Sequence, residues 1–270
     1  MRKNPLVSRT TSAYVGNDRV LVRTSQGFKL FVDARDVSIS PHIIIEGVWE
    51  EHVETVLKRI VRRGMHVIEI GANVGYFTVM LAHSVGSAGS VAAFEPDPIL
   101  VQLVRDNLEV NGFHAVGSVA EVAVSDTVGR ATFHARSRHR GNGSLVGGLE
   151  QVPWNAETST EFSVTTTTLD AIVAERGAPP DVIKVDAEGA ESAIMRGGPA
   201  LLASRCPLRL IVEFIPEFIR VSGDDPASFL ARLADAGFKI ALIEERHRKI
   251  QRVSRDALLA RRYSELLLVR

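Results

Sequence analysis

From Val67 to Phe214 one pattern repeats along the chain. Four to six mostly apolar residues are followed by a break of glycine or charge, and then by a longer stretch with apolar positions three and four apart. The short runs predict strands over 67–70, 90–94, 116–124, 130–133, 162–166, 181–185 and 209–214, with two closing strands over 239–244 and 264–269. The helical stripes predict helices over 75–84, 98–111, 169–176, 190–203 and 226–236. Upstream, RVLVRTSQGFKLFV (19–32) alternates loosely about Ser25-Gln26-Gly27 and predicts a β-hairpin. Residues 50–63 carry Val53, Val56, Leu57, Ile60 and Val61 on one helical face, and Gly64 is placed to stop that helix.

Strands separated by helix-length segments predict an α/β fold, a mostly parallel sheet with helices on both faces. Right-handed crossovers then gather the loops after the strands along one sheet edge, where such folds bind ligands. The connection over 244–261 is short and polar, which lets the last strand run antiparallel. The pattern divides into an N-terminal β appendage, 1–48, and a main domain, 49–270.

Composition narrows the function classes. The 270 residues are 45% hydrophobic and 24% charged, with 32 basic and 32 acidic side chains. A neutral chain offers no electrostatic case for nucleic acid or an anionic membrane. The lone Cys206 excludes an internal disulfide and fits a reducing, cytoplasmic setting. MRKNPLVSRTTS has no apolar segment behind its basic residues, so no secretory signal is expected, and no run reaches the ~20 apolar residues of a membrane span.

The informative stretch is VIEIGANVGYF, 67–77, a strand, a turn and the start of a helix. A dinucleotide site wants G-x-G-x-x-G, but Asn73 stands where the second glycine belongs. A P-loop wants Lys and Ser/Thr after its last glycine, but Tyr76 and Phe77 follow Gly75. A nucleoside with an amino-acid tail and no phosphate, S-adenosylmethionine, fits better. Glu69 would take its ammonium, directly or through water. Gly71 and Gly75 would present bare backbone, with Asn73, Tyr76 and Phe77 beside them. In FEPDP, Glu95 ends the next strand, where an acid can accept both ribose hydroxyls, with Pro96 after it. In AVSD, Ser125 and Asp126 sit at a third strand end, placed to meet adenine.

Those segments, followed in order by TTLD and DVIKVDAEGAESAIMRGG, resemble FkbM-type S-adenosylmethionine-dependent methyltransferases over roughly 49–214. The resemblance implies a Rossmann-like class I methyltransferase fold with a seven-stranded sheet. It also implies O-methylation of hydroxyls on sugars, glycolipids, polyketides or similar small molecules. Glu69, Gly71, Asn73 and Gly75 match the family's cofactor loop, Glu95 its ribose acid, and Asp186 and Glu188 its strand-end acids. Ala187 stands where the family often has Val. N- or C-methylation, and a non-catalytic cofactor-binding scaffold, are the alternative readings; the missing second glycine disfavours a dehydrogenase.

Methyl transfer to an alcohol needs in-line placement and a route for the proton. Side-chain alternation points Lys184, Asp186 and Glu188 the same way, and Glu213 ends the neighbouring strand. Asp186, Glu188 and Glu213 are therefore candidate catalytic groups, with His139 as a base from the variable loop. A Mg²⁺ ion on these carboxylates is the competing mechanism, and the residues alone favour a metal-free reaction. Glu191 reads as a helix-start acid. Residues 134–144 bring together His134, Arg136, Arg138, His139 and Arg140. Their first reading is a solvated face, and their functional one a lid over an anionic or polyhydroxylated acceptor. The oligomeric state is open, a homodimer included.

Overall fold

The computed structural model describes residues 11–270; the start of the segment weighed as a signal lies outside them. The chain opens with a three-stranded antiparallel sheet, β1 (Thr11–Gly16), β2 (Arg19–Arg23) and β3 (Lys29–Asp33), then α1 (Ile39–Glu46) and α2 (Glu51–Ile60). Next come β4 (His66–Ile70), α3 (Tyr76–Val85), β5 (Ser90–Phe94), α4 (Pro98–Val110) and β6 (Gly117–Ala120). An excursion follows through β7 (Ala123–Ser125), β8 (Gly129–Arg136) and β9 (Ser159–Thr168), which form a sheet of their own. The chain then runs through α5 (Leu169–Arg176), β10 (Val182–Val185), α6 (Glu191–Arg196), α7 (Pro199–Ala203) and β11 (Arg209–Phe214). It closes with α8 (Pro216–Val221), α9 (Pro226–Asp235), β12 (Lys239–Glu244), β13 (Lys249–Gln251), α10 (Arg255–Leu259) and β14 (Ser264–Val269).

The central sheet has the order β13-β12-β14-β11-β10-β4-β5-β6. Strands β6, β5, β4, β10 and β11 are parallel, and β14 inserts antiparallel between β11 and β12. This is the expected class I methyltransferase sheet with the short β13 added at one edge. Alternation along each strand builds two cores. Val67, Val182, Ile211 and Leu267 face one core with α2, α3 and α4, while Ile68, Ile183, Leu210, Val212 and Leu266 face the other with Phe229 and Leu230.

Several elements depart from the sequence pattern. The expected strand over 116–124 is broken at the exposed Glu121, and its second half, β7, pairs with β9 instead. The helix expected over 190–203 splits at Gly197-Gly198. A Cβ at Gly197 would meet the Ser125 carbonyl oxygen at 2.1 Å, so the chain must pass there without one. Helix α2 ends at Ile60, and Gly64 instead shapes the turn into β4 at φ 81°, donating its N–H to Val85 O. The N-terminal region contains α1 as well as strands, and β1 joins the hairpin as a third strand.

The N-terminal sheet is bound into the main body. Val22, Leu30 and Val32 belong to the same apolar cluster as Val53, Leu57, Val79 and Val104. The fully buried Asn107 of α4 bridges three backbone groups: its Nδ2 donates to Phe31 O (3.0 Å) and Val74 O (2.7 Å), and its Oδ1 accepts from Phe31 N (2.6 Å). It thereby ties β3 to the turn after β4. Removing it strands buried polar groups at a cost of about 1–3 kcal/mol each. Asn107→Ala is expected to lose about 2–4 kcal/mol in urea unfolding; a loss below ~1 kcal/mol would mean that the sheet is held by its apolar contacts alone.

Candidate active site

Each of four adjacent strands carries one buried charge on the same face of the sheet. Glu69 in HVIEI, Lys184 in VIKV, Glu213 in RLIVEF and Glu265 in SELLLV all alternate with residues of the first core. Lys184 lies opposite Glu69, and Glu213 lies directly opposite Glu265. All four are 6% exposed or less. Lys184 Nζ donates to Asp186 Oδ2 at 2.8 Å and sits 4.9 Å from the Phe77 ring centroid. Burial alone would lower its pKa, but Asp186, Glu50, Glu69 and Glu265 outweigh that and raise it.

The turn after β4 shows what its glycines do. Gly71 has φ 80°, and a Cβ there would lie 1.7 Å from the Asp186 carbonyl oxygen, so the loops leaving β4 and β10 touch through it. Gly75 has φ 82° and abuts Val104 of α4; it shapes the turn and is not in the cavity wall. Asn73, also left-handed at φ 52°, donates its N–H to Glu95 Oε2 (2.9 Å), while Asp97 N–H donates to Glu95 Oε1 (3.0 Å). Glu95 is thus pinned at the end of β5 with one further lone pair free on each oxygen. Burial pushes its pKa up to about 8, the two amides only partly offsetting this.

These parts border a cavity of about 770 Å³ at the carboxyl edge of the sheet. Gly71, Asn73, Glu95 and Pro96 form one end of its wall, with Leu100, Ala123, Val124 and Phe133 as apolar neighbours. At the other end stand Lys184, Asp186, Glu188 and Glu213. Asp186, Glu188 and Glu213 each present an oxygen within 4.8 Å of the others. Burial, and then the mutual repulsion of these acids, raises the pKa of Glu188 and Glu213 well above the carboxylate range. Glu213 Oε2 is buried without a hydrogen-bond partner.

Two members of the wall were invisible in the sequence pattern. Glu50 holds a left-handed backbone at φ 42° just before α2, and its carboxyl rises to about 7, by burial first and then by Asp186. Tyr263 donates to Glu265 (2.8 Å) and also approaches Glu50 (3.4 Å). A non-glycine residue in the left-handed region was the only local signal, and it does not show in sequence. Lys184 was read only as sharing a direction with the acids; the structure makes it their common counterion.

Other expected site residues lie elsewhere. Glu69 stands behind the cavity wall, not in it: Thr78 donates to its Oε2 (2.6 Å), its Oε1 is unpartnered, and burial lifts it to about 7. Ser125 and Asp126 are outside the wall, and Asp126 pairs with Arg196 (3.0 Å); Ala123 and Val124, just before them, line the cavity instead. The Tyr76 hydroxyl is committed to Glu54 and Gln26, though its ring reaches the wall with Phe77. His139 is also outside the wall, held by Glu157 through Nδ1 (2.5 Å). Glu191 has the helix-start role expected of it, accepting from Ala187 N–H (2.8 Å).

The basic loop is mostly structural. Arg136 is buried and donates to the backbone carbonyls of Asn142, Asn155 and Glu157. Arg140 pairs with Asp97 at 2.7 Å and approaches Asp33 at 3.8 Å. A Cβ on Gly141 would lie 2.4 Å from Asn73 Nδ2. The loop is a strap pressed onto the glycine turn, with Arg136 and Arg140 committed to the protein and Arg138 exposed beside them.

A family model described as "Methyltransferase FkbM domain" matches residues 69–240. A protein-L-isoaspartate O-methyltransferase of Methanothrix thermoacetophila is 44% identical over 48 residues, a match that spans 18% of this chain and 23% of that relative. Among solved structures, the O-methyltransferase from Bacillus cereus in complex with SAH aligns with TM-score 0.46 and 18% identity, covering 87% of this chain and 82% of that one. A precorrin-6y C5,15-methyltransferase from Geobacter metallireducens aligns with TM-score 0.42 and 11% identity, covering 82% and 87%. No substrate of this chain follows from these overlaps.

Two outcomes follow from the charge row. Glu50, Glu69 and Glu95 keep their protons in the folded state up to about 7, 7 and 8, but ionise near the ordinary carboxylate value once unfolded. Between those values the unfolded state binds fewer protons, so stability falls as pH rises from about 5 to about 8 and levels off above. The ligand-free protein is expected to lose a few kcal/mol, roughly, over that window in urea unfolding; a flat or rising profile would contradict the burial of these acids. Lys184→Met leaves the acids without their cation and is expected to cost about 3–5 kcal/mol at pH 8, and distinctly less at pH 5.

Proposed function

We propose that this chain, which belongs to the FkbM methyltransferase family, is an S-adenosylmethionine-dependent O-methyltransferase acting on a hydroxyl of a small molecule or glycan. The observation that carries this reading is a single cavity with two chemically different ends: the pinned Glu95 beside the glycine turn, and the Asp186, Glu188 and Glu213 carboxylates. A volume of about 770 Å³ has room for a nucleoside together with an acceptor.

The residues present fit the cofactor. Each Glu95 oxygen has a lone pair left for one ribose hydroxyl, and the turn holds no cradle for phosphate. Leu100, Val124 and Phe133 give apolar surface for a base. When bound, S-adenosylmethionine supplies a methyl on a sulfonium, an electrophile whose sulfur keeps the bonding pair as the methyl leaves. The protein's own work is then placement and proton handling. Lys184 fixes Asp186 by its 2.8 Å hydrogen bond. Glu213, with an unpartnered oxygen and a raised pKa, is suited to take the acceptor's proton as the new O–C bond forms. A proton acceptor is what a hydroxyl requires, whereas a neutral amine can attack without one; this favours O-methylation over N-methylation.

The acceptor is best read as uncharged and polyhydroxylated. Glu50, Asp186, Glu188 and Glu213 would repel an anion; Arg136 and Arg140 are occupied, and Arg138 is not among the residues of the cavity wall. Trp49 and His42, rings 5.6 Å apart and tilted by 53°, add aromatic surface to the wall. Cys206, half-buried and unpaired, is compatible with the reducing cytoplasm in which we place the reaction.

Calorimetry with SAH is expected to give micromolar binding, weakened at least tenfold in Glu95→Ala and in Arg140→Ala, whose strap braces the cofactor end. A panel of polyols, sugars, amines and thiols, scored by SAH release, should single out hydroxyl compounds. Glu213→Gln should lower kcat about 10²–10⁴-fold while SAH affinity changes little. Absence of SAH binding, or turnover of amines alone, would overturn the assignment.

A further inference from the structure

The sheet face under the cavity has more acid than its one cation can balance. Lys184 is shared among Asp186, Glu50, Glu69 and Glu265 and hydrogen-bonds Asp186. Among the described residues no cation pairs with Glu213, whose direct cross-strand neighbour is another acid, Glu265. Like charges directly opposite on antiparallel strands are destabilising. Glu213 lies in the cavity wall and is only 6% exposed, and its buried Oε2 has no hydrogen-bond partner.

The geometry supplies what would occupy that oxygen. Asp186, Glu188 and Glu213 each offer a carboxylate oxygen, and the three lie within 4.8 Å of one another. An ion bound at 2.0–2.6 Å to its oxygens holds them about 3–5 Å apart, which is the span these three already have. All three donors are hard anionic oxygens, with no sulfur or imidazole among them, and such a set suits Mg²⁺ or Ca²⁺ better than zinc or copper. Glu188 is held toward the other two by a left-handed backbone at φ 49°, with its carbonyl accepting from Ser144 Oγ at 2.7 Å.

We propose that Asp186, Glu188 and Glu213 form a binding site for one divalent, oxygen-preferring cation at the acceptor end of the cavity. The proposal deepens the O-methyltransferase reading and rests on it for its purpose. A hydroxyl that coordinates the cation loses its proton more readily. That proton passes to an adjacent carboxylate, an oxygen lone pair forms the O–C bond, and the pair of the broken C–S bond remains on sulfur as a neutral thioether. The sequence alone had favoured a metal-free site; the convergence of a third acid from β11, with a buried unpaired oxygen, reverses that preference.

The test uses full-length protein stripped with a chelator and titrated with MnCl₂, followed by the electron paramagnetic resonance of free Mn²⁺, with and without SAH. One Mn²⁺ per chain is expected with a Kd below about 1 mM. Glu188→Gln and Glu213→Gln should each weaken it at least tenfold and still bind SAH like the wild type, which also shows that they fold. Glu188 lies outside the strand and only half-buried, so its variant serves if the Glu213 variant does not fold. No saturable Mn²⁺ binding up to about 10 mM, or binding equal in wild type and variants, overturns the site. SAH binding without Mn²⁺ binding would sink the cation and spare the methyl-transfer reading; Mn²⁺ binding without SAH binding would do the reverse.

Discussion

The buried ammonium of Lys184 is the constraint on which the active edge depends. It lies in the middle of the central sheet, 2% exposed, with Glu69 beside it on β4 and Asp186 at the end of its own strand. A buried lysine would ordinarily shed its proton, and buried carboxylates would ordinarily hold theirs. Here the surrounding acids keep the ammonium charged despite its burial. The hydrogen bond from Lys184 holds Asp186, a residue of the cavity wall, just past the end of β10.

The same crowding gives the site its chemistry. An isolated exposed carboxylate is a weak base at neutral pH, whereas Glu213 and Glu188, desolvated and surrounded by other acids, hold a proton far more tightly. Part of the local strain is stored in backbone. Glu50, Asn73 and Glu188 all sit in the left-handed region around one cavity. Such conformations each cost on the order of 1 kcal/mol and persist where the surroundings over-determine them. Here those surroundings are the strap over Asn73, the pinned Glu95 and the hydrogen bond from Ser144 to the Glu188 carbonyl.

Much of the fold was legible because each of its signals is local. Strands β4, β5, β11, β12 and β14, and helices α4, α5 and α9, follow from runs and stripes within single segments. Helices α8 and α10, under two turns each, and strands β1 and β13, exposed on both faces, were not legible, and α1 was missed with them. The break between β6 and β7 was hidden because the apolar character continues across it, and only the distant partner β9 decides where β7 pairs. In the site, Glu95, Asp186, Glu188 and Glu213 were readable as acids ending apolar runs. That His139, Ser125 and Asp126 lie outside the wall was not readable, because nothing local announces Glu157 or Arg196, the partners of His139 and Asp126.

The sequence by itself determined the periodic elements, the parallel order that puts their loops on one edge, and the phosphate-free character of the turn after β4. Each is a property of neighbouring residues, enforced by backbone geometry and side-chain volume. Only the tertiary structure decided which charges meet. It set Lys184 among four acids, brought Glu50 and Tyr263 to the wall, and turned the basic loop into a strap whose Arg140 and Arg136 are spent on Asp97 and on backbone carbonyls. Electrostatic and hydrogen-bond partners are chosen by proximity in space, and a linear chain carries no local record of that.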